Sequence, residues 1–170
     1  MAKRPARVAI LMGSDSDLPV VEKCLKTLKD LDIPFEVRVL SAHRTPNLVE
    51  RFVEEADAAG IQVFICAAGG AAHLAGAVVA RTLRPVIGIP INSTPLLGLD
   101  ALLATVQMPS PFAVATMAVG DAGAANAGFM AARILALSDP ALLKRLEAHR
   151  EQVVKGVIEK DSKVRTRSHN

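Results

Sequence analysis

The chain has 170 residues, 51% hydrophobic and 22% charged, which suits one globular domain with a buried core and excludes a disordered chain. Trp and Tyr are absent and Phe numbers five, so the aromatic platforms of single-strand binders lack material. The net charge is only +3, and the basic excess sits late: from Lys144 onward eight Lys/Arg face four Asp/Glu, a charge run that reads as a solvated tail with no nucleic acid partner.

Lys3, Arg4 and Arg7 lead into an apolar run over residues 8–12, which meets Gly13 and Asp15 too soon to be a secretory signal and reads as a strand. Val21, Cys24, Leu25, Leu28 and Leu31 then recur at helical spacing, with Glu22, Lys23, Lys26 and Lys29 opposite. In the second strand, residues 35–40, Phe35, Val37 and Val39 alternate with Glu36 and Arg38, the pattern of an edge strand with one wet face. Leu48, Val49, Phe52, Val53 and Ala56 predict the next helix, and Gly60 is placed to end it. Further strands are predicted over residues 63–67, 86–91 and 113–119, and all three are apolar throughout. The last helix opens at Ser138-Asp139-Pro140, a cap followed by a proline. Its stripe of Leu142, Leu146, Val153 and Val157 runs to about Ile158, so residues 1–160 are expected to form one domain and 161–170 a frayed, disordered basic tail.

Strand alternating with helix over the whole length predicts a parallel sheet covered on both faces. With strand two at an edge, the expected architecture is a three-layer α/β flavodoxin-like fold, strand order 2-1-3-4-5, with a long C-terminal helix. Two uncharged stretches, 58–80 and 101–120, are broken in their middles by Gly69-Gly70, His73, Gln107, Pro109 and Pro111, which argues against membrane spans. Cys24 and Cys66 sit in apolar surroundings without metal spacing and read as reduced thiols of a cytoplasmic protein. Residues 71–80 and 122–136 carry almost no polar face, so at least one of these segments is expected to be buried between subunits of a homo-oligomer.

In an open parallel sheet, ligands bind where the strands end. Three polar loops fall there. In the first, Gly13 lets a ligand approach, and Ser14 and Ser16 offer hydroxyls beside a helix N-terminus suited to phosphate. The competing reading is that Ser16 or Asp17 merely caps that helix. Two aspartates beside a phosphate are electrostatically wrong, so at least one serves another group, and ribose hydroxyls are natural partners. In the second loop, Ser41-Ala42-His43-Arg44, Thr45 can cap a helix beginning at Pro46. Arg44 there suits bidentate phosphate binding. His43 both donates and accepts protons near neutrality, or else simply fills the loop; residue chemistry leaves the two readings level. In the third, Gly69-Gly70-Ala71-Ala72 reads as a bare helix start against which a flat ligand can lie, and His73 is more often structural in such a setting. It is not a dinucleotide fingerprint, and neither a P-loop nor a nucleophile elbow nor metal spacing occurs.

Taken together, MGSDSDLP (12–19), SAHRTP (41–46), AGGAAHL (68–74), QMP (107–109) and GDAGAANAG (120–128) resemble the PurE family of N5-carboxyaminoimidazole ribonucleotide mutases of purine biosynthesis. The resemblance runs from about Arg7 to Arg150 in unbroken order. It implies a flavodoxin-like homo-octamer acting on a small-molecule ribonucleotide, with no cofactor and no metal. It also implies that a carboxylate moves from the exocyclic nitrogen of the aminoimidazole to ring carbon 4, with His43 as the acid–base residue. By the same resemblance, Ser14 and Arg44 match phosphate contacts helped by Ser16 and Ser41, and Asp17 matches a ribose contact. Ala42, Gly69, Gly70, Ala71, His73 and Leu74 would line the ring and carbon dioxide pocket. A second branch, which carboxylates aminoimidazole ribonucleotide directly, reads Ser-Ala-His-Lys-Gly in the second loop; Arg44-Thr45 and the intact 69–73 segment favour the mutase branch, class I. Ser110-Pro111-Phe112 departs from the Gly-containing turn expected after Gln107-Met108-Pro109.

Overall fold

The computed structural model describes residues 4–167. Five strands, β1 (Val8–Met12), β2 (Phe35–Val39), β3 (Val63–Gly69), β4 (Val86–Ile91) and β5 (Ala115–Thr116), form one sheet of order β2-β1-β3-β4-β5 in which every pairing is parallel. Helices α1 (Leu18–Asp30), α2 (Pro46–Ala58), α3 (Leu74–Val79), α4 (Leu99–Val106), α5 (Asp121–Ala136) and α6 (Pro140–Arg167) cover it. The flavodoxin-like expectation therefore holds, including strand two at the edge.

The sheet separates two cores. On one face Val8, Ile10, Met12, Ile65, Ile87 and Ile89 meet α1, α5 and Leu142 of α6. On the other, Ala9, Leu11, Phe64 and Cys66 meet α2 and α3. Strands buried on both faces must be apolar throughout, which is why β1, β3 and β4 show no alternation while β2 does. Cys24 and Cys66 are both free and buried; burial pushes the Cys24 thiol up to about 12 and Cys66 higher still, so neither is a ready nucleophile.

Two expectations change, on β5 and on α6, and one segment acquires partners within the chain. The fifth strand pairs over two residues only, Ile87 with Ala115 and Gly88 with Thr116. Pro109 and Pro111 just before it supply no N–H to a ladder, and afterwards the chain is held by two separate bonds, Met117 N–H to Gly88 and Gly120 N–H to Pro90. The apolar segment 122–136 is explained within the chain: Ala124, Ala127, Ala131, Ala132 and Leu135 are buried in the first core. And α6 does not stop at Ile158 but continues to Arg167, because no Gly or Pro interrupts residues 157–167 and Asp161 pairs with Arg165 one turn on. Of the tail expected to fray, 168–170 lie outside the described residues. The α6 start is as expected, with the Asp139 carboxylate accepting from Leu142 N–H at 2.9 Å. Among the described residues no helix is long and apolar enough to cross a membrane.

The α1–α5 contact turns on Gly128, where an added Cβ would stand 2.8 Å from Cβ of Thr27 and 3.2 Å from the Cys24 carbonyl. Gly128→Val is expected to destabilise the chain by about 1–3 kcal/mol through overpacking. Gly156→Ala on α6, where nothing lies within 4 Å, is expected to stabilise by up to about 1 kcal/mol through helix propensity. Urea unfolding of both variants checks the opposite signs.

Candidate active site

The three polar loops converge. A cavity of about 440 Å³ opens at the carboxyl ends of β1, β2, β3 and β4. Gly13, Ser14, Ser16 and Asp17 form one wall, Ser41, Ala42, His43 and Arg44 a second, and Ala68, Gly69, Ala72, His73 and Leu74 a third. Gly70 and Ala71, expected to line the site, are not on these walls. Gly70 takes φ +60° in the turn after β3, and the six-residue helix α3 starts only at Leu74, so the glycine pair ends a strand rather than starting a helix. Ser93, beyond β4, lines the cavity and was not singled out from the sequence.

The first loop resolves the question of its aspartates. The Ser14 hydroxyl accepts from Ser16 N–H at 3.3 Å and from the Ser16 hydroxyl at 2.9 Å, capping a single 3-10 turn over Asp15–Asp17. Asp17 stands at the start of α1 but makes no side-chain capping bond. It is buried, at 6% exposure, and lines the cavity, whereas Asp15 is exposed and off its walls. Desolvation raises the Asp17 carboxyl above the usual range, partly offset by a hydrogen bond from the backbone of the Ser14 turn and by the Arg44 charge. Burial therefore disfavours the charged form of this carboxyl.

The second loop is closed by Thr45, though not as a helix cap. Its hydroxyl accepts from Ser41 N–H at 2.9 Å and donates to the Ser41 carbonyl at 3.1 Å, so it ties the loop to its own root. Arg44 is steered by two neighbours: its Nε donates to the Ser41 hydroxyl at 3.4 Å and its Nη2 to the Gly13 carbonyl at 2.5 Å. The guanidinium therefore leans over β1 toward Ser14. His43 Nε2 lies 2.7 Å from His73 Nδ1, with the rings edge-on at 82°. One of those nitrogens must carry the hydrogen and the other accept it. The loops after β2 and β3 are thus joined by an imidazole pair, and a cation, three hydroxyls and a carboxylate stand on the flank nearer β2. Such a site can bind an anionic, hydroxyl-bearing molecule and exchange protons with it. Among the described residues no group of three or more His, Cys, Asp or Glu side chains is placed to hold a metal.

The sequence model of the AIR carboxylase family matches residues 7–155. The chain belongs to this family. It is 47% identical to the N5-carboxyaminoimidazole ribonucleotide mutase of Haemophilus influenzae over 92% of this chain and 95% of that one. The protein of the same name from Escherichia coli K12 is 48% identical over 91% of this chain and 92% of that one, and the one from Bacillus subtilis 46% identical over 89% and 94%. The crystal structure of Treponema denticola PurE superposes with TM-score 0.84 at 32% identity, covering 92% of this chain and 96% of that one. All the loops of the cavity fall inside the matched span.

Asp17 supplies a test with a defined sign. A carboxyl raised on folding contributes stability below its ordinary pKa, near ~4, and loses it as pH rises through the raised value. Asp17→Asn is therefore expected to melt above the wild type at pH 7, with the advantage shrinking as pH falls toward 4. Thermal unfolding across that range checks it.

Proposed function

We propose that the chain is an N5-carboxyaminoimidazole ribonucleotide mutase of purine biosynthesis, converting its substrate to 4-carboxy-5-aminoimidazole ribonucleotide. The observation that carries this reading is the gathering of Ser14, Asp17, Ser41, His43 and Arg44 on one cavity, in a chain 46–48% identical to several mutases along nearly its whole length.

In this reading the phosphate meets Arg44, Ser14, Ser16 and Ser41, and Asp17 accepts from the ribose hydroxyls. The imidazole ring lies by Ala42, Gly69, His73 and Leu74, with Gly70 and Ala71 shaping the adjacent turn. The bond between the exocyclic nitrogen and its carboxylate breaks, the electron pair stays on nitrogen, and protonated His43 delivers a proton there. Carbon dioxide remains in the cavity. Carbon 4 attacks it, a carbon–carbon bond forms, and His43 takes the proton from carbon 4, restoring both the aromatic ring and its own starting state. Proton transfer of this kind is typically worth about 10²–10⁴ in rate, and holding carbon dioxide against carbon 4 supplies the remainder. No cofactor enters the sequence of steps.

We also propose a homo-oligomer, an octamer, working in the cytoplasm. Support comes from surfaces other than those the sequence pointed to: Leu96, Leu97, Leu99, Leu103 and Val106 around α4, and Val153, Val154, Val157 and Ile158 along α6, are all exposed in the single chain. Apolar surface on this scale marks association.

Two measurements test these readings. Purified protein in metal-free, ATP-free buffer is expected to isomerise N5-carboxyaminoimidazole ribonucleotide, and His43→Asn to lose about 10²-fold or more in turnover while still binding nucleotide. Turnover only of aminoimidazole ribonucleotide with carbon dioxide would assign the carboxylase branch instead, and binding without any turnover would assign a nucleotide sensor. In sedimentation, the wild type is expected at octameric mass, and Leu97→Asp or Ile158→Asp at a smaller one.

A further inference from the structure

The fourth loop of the cavity carries no role so far. Ser93 lines the site, yet its hydroxyl has no hydrogen-bond partner among the described residues. It rests directly on Gly69: a Cβ added to Gly69 would stand 1.9 Å from the Ser93 hydroxyl oxygen and 2.9 Å from its Cβ. Gly69 has no positive φ to require glycine, so the requirement is room for Ser93.

The loop behind Ser93 is braced. The Thr94 hydroxyl donates to Asp100 Oδ2 at 2.7 Å and accepts from Leu96 N–H at 3.2 Å. Gly98 lies close against Asn92, where an added Cβ would be 3.3 Å from the Asn92 Cα. Leu97 sits at φ +54°, a conformation a leucine adopts only when its surroundings impose it. A braced loop thus sets an exposed hydroxyl with no protein partner against the Gly69 wall of the cavity, where a bound molecule can take it.

Its place decides what it meets. Arg44 belongs to the loop after β2 and leans over β1, while Ser93 follows β4 and leans over β3. Their loops root on β2 and β4, three strand spacings of about 4.8 Å apart, so Arg44 and Ser93 enter the cavity from opposite flanks. We infer that Ser93 donates a hydrogen bond to the nucleotide's carboxylate once it stands on carbon 4, at the end of the cavity away from Arg44, and that the Thr94–Asp100 hydrogen bond holds Ser93 there. This rests on the mutase reading above, in which the phosphate takes the Arg44 end.

The test compares two nucleotides on the full-length protein by calorimetry: 4-carboxy-5-aminoimidazole ribonucleotide and aminoimidazole ribonucleotide, which lacks the carboxylate. Ser93→Ala is expected to weaken the first by about 10-fold or more, the scale of a hydrogen bond to a charged group, and the second by less than about 2-fold. Thr94→Val is expected to lower the same affinity ratio, and Thr94→Ser to restore it. Equal weakening of both nucleotides, or of neither, by Ser93→Ala overturns the inference. A Thr94→Val ratio equal to that of the wild type overturns the brace. Wild-type protein that fails to isomerise N5-carboxyaminoimidazole ribonucleotide would instead overturn the mutase reading itself, so the two failures are distinguishable.

Discussion

Met12 of β1 pairs in parallel with Val39 of β2 on one side and Ala67 of β3 on the other, and Ala67 pairs in turn with Ile89 of β4; every other feature of the site depends on this row. Two residues further along each strand stand Ser14, Ser41, Gly69 and Ile91, at one level across the sheet edge. The loops that follow therefore leave at the same height and can share a cavity. A single antiparallel strand among them would send its loop to the far edge. A slip of one residue would turn its side chains to the wrong face. The two-sided core keeps the row in place, since β1 has no solvent-facing side toward which to slip.

Given that row, local chemistry divides the cavity into unlike ends. Near β2 the groups are polar and tied together: Ser14 caps its own turn, Thr45 closes the second loop, and Arg44 is fixed by Ser41 and the Gly13 carbonyl. Asp17 takes only a backbone hydrogen bond from the Ser14 turn and is buried, so its charge costs stability as it forms. Toward β3 the walls are Ala42, Ala68, Gly69 and Ala72, almost without side chains. The His43–His73 pair stands at the junction. A polar, cationic end and a bare end thus stand on opposite sides of one imidazole pair.

Most of this was legible in the sequence, and the exceptions share a cause. Periodicity gave the strands, the edge position of β2 and the start of α6, because those depend on which faces are wet. Strand-end logic gave three loops, because glycine, serine, aspartate and histidine after apolar runs are conspicuous. The same logic reaches Asn92-Ser93-Thr94 after β4, but Ser93 matters only through its approach to Gly69, a contact between residues 24 apart that no local pattern encodes. Thr45 and Asp17 were open to a capping role on their positions alone. The folded loops decided otherwise: Thr45 bonds back to Ser41 four residues earlier, and Asp17 faces the cavity. The apolar segments 71–80 and 122–136 pointed to subunit contacts, and for the second a sequence cannot say how much of it α1 and α6 already cover.

This intramolecular burial bears on how the chain would associate. With much of α5 buried inside the protomer, exposed apolar side chains remain on α4, on the loop before it and on the far half of α6, among other places such as Leu83 and Leu137. The loop before α4 is the one that carries Ser93, braced by Thr94 and Asp100. Leu96 and Leu97, exposed to solvent in the single chain, sit within four residues of a cavity-lining hydroxyl. Covering them with a second copy would clamp that loop from outside as Asp100 does from within. In the octamer proposed above, the segment that would meet a second copy is the one that carries Ser93 into the cavity.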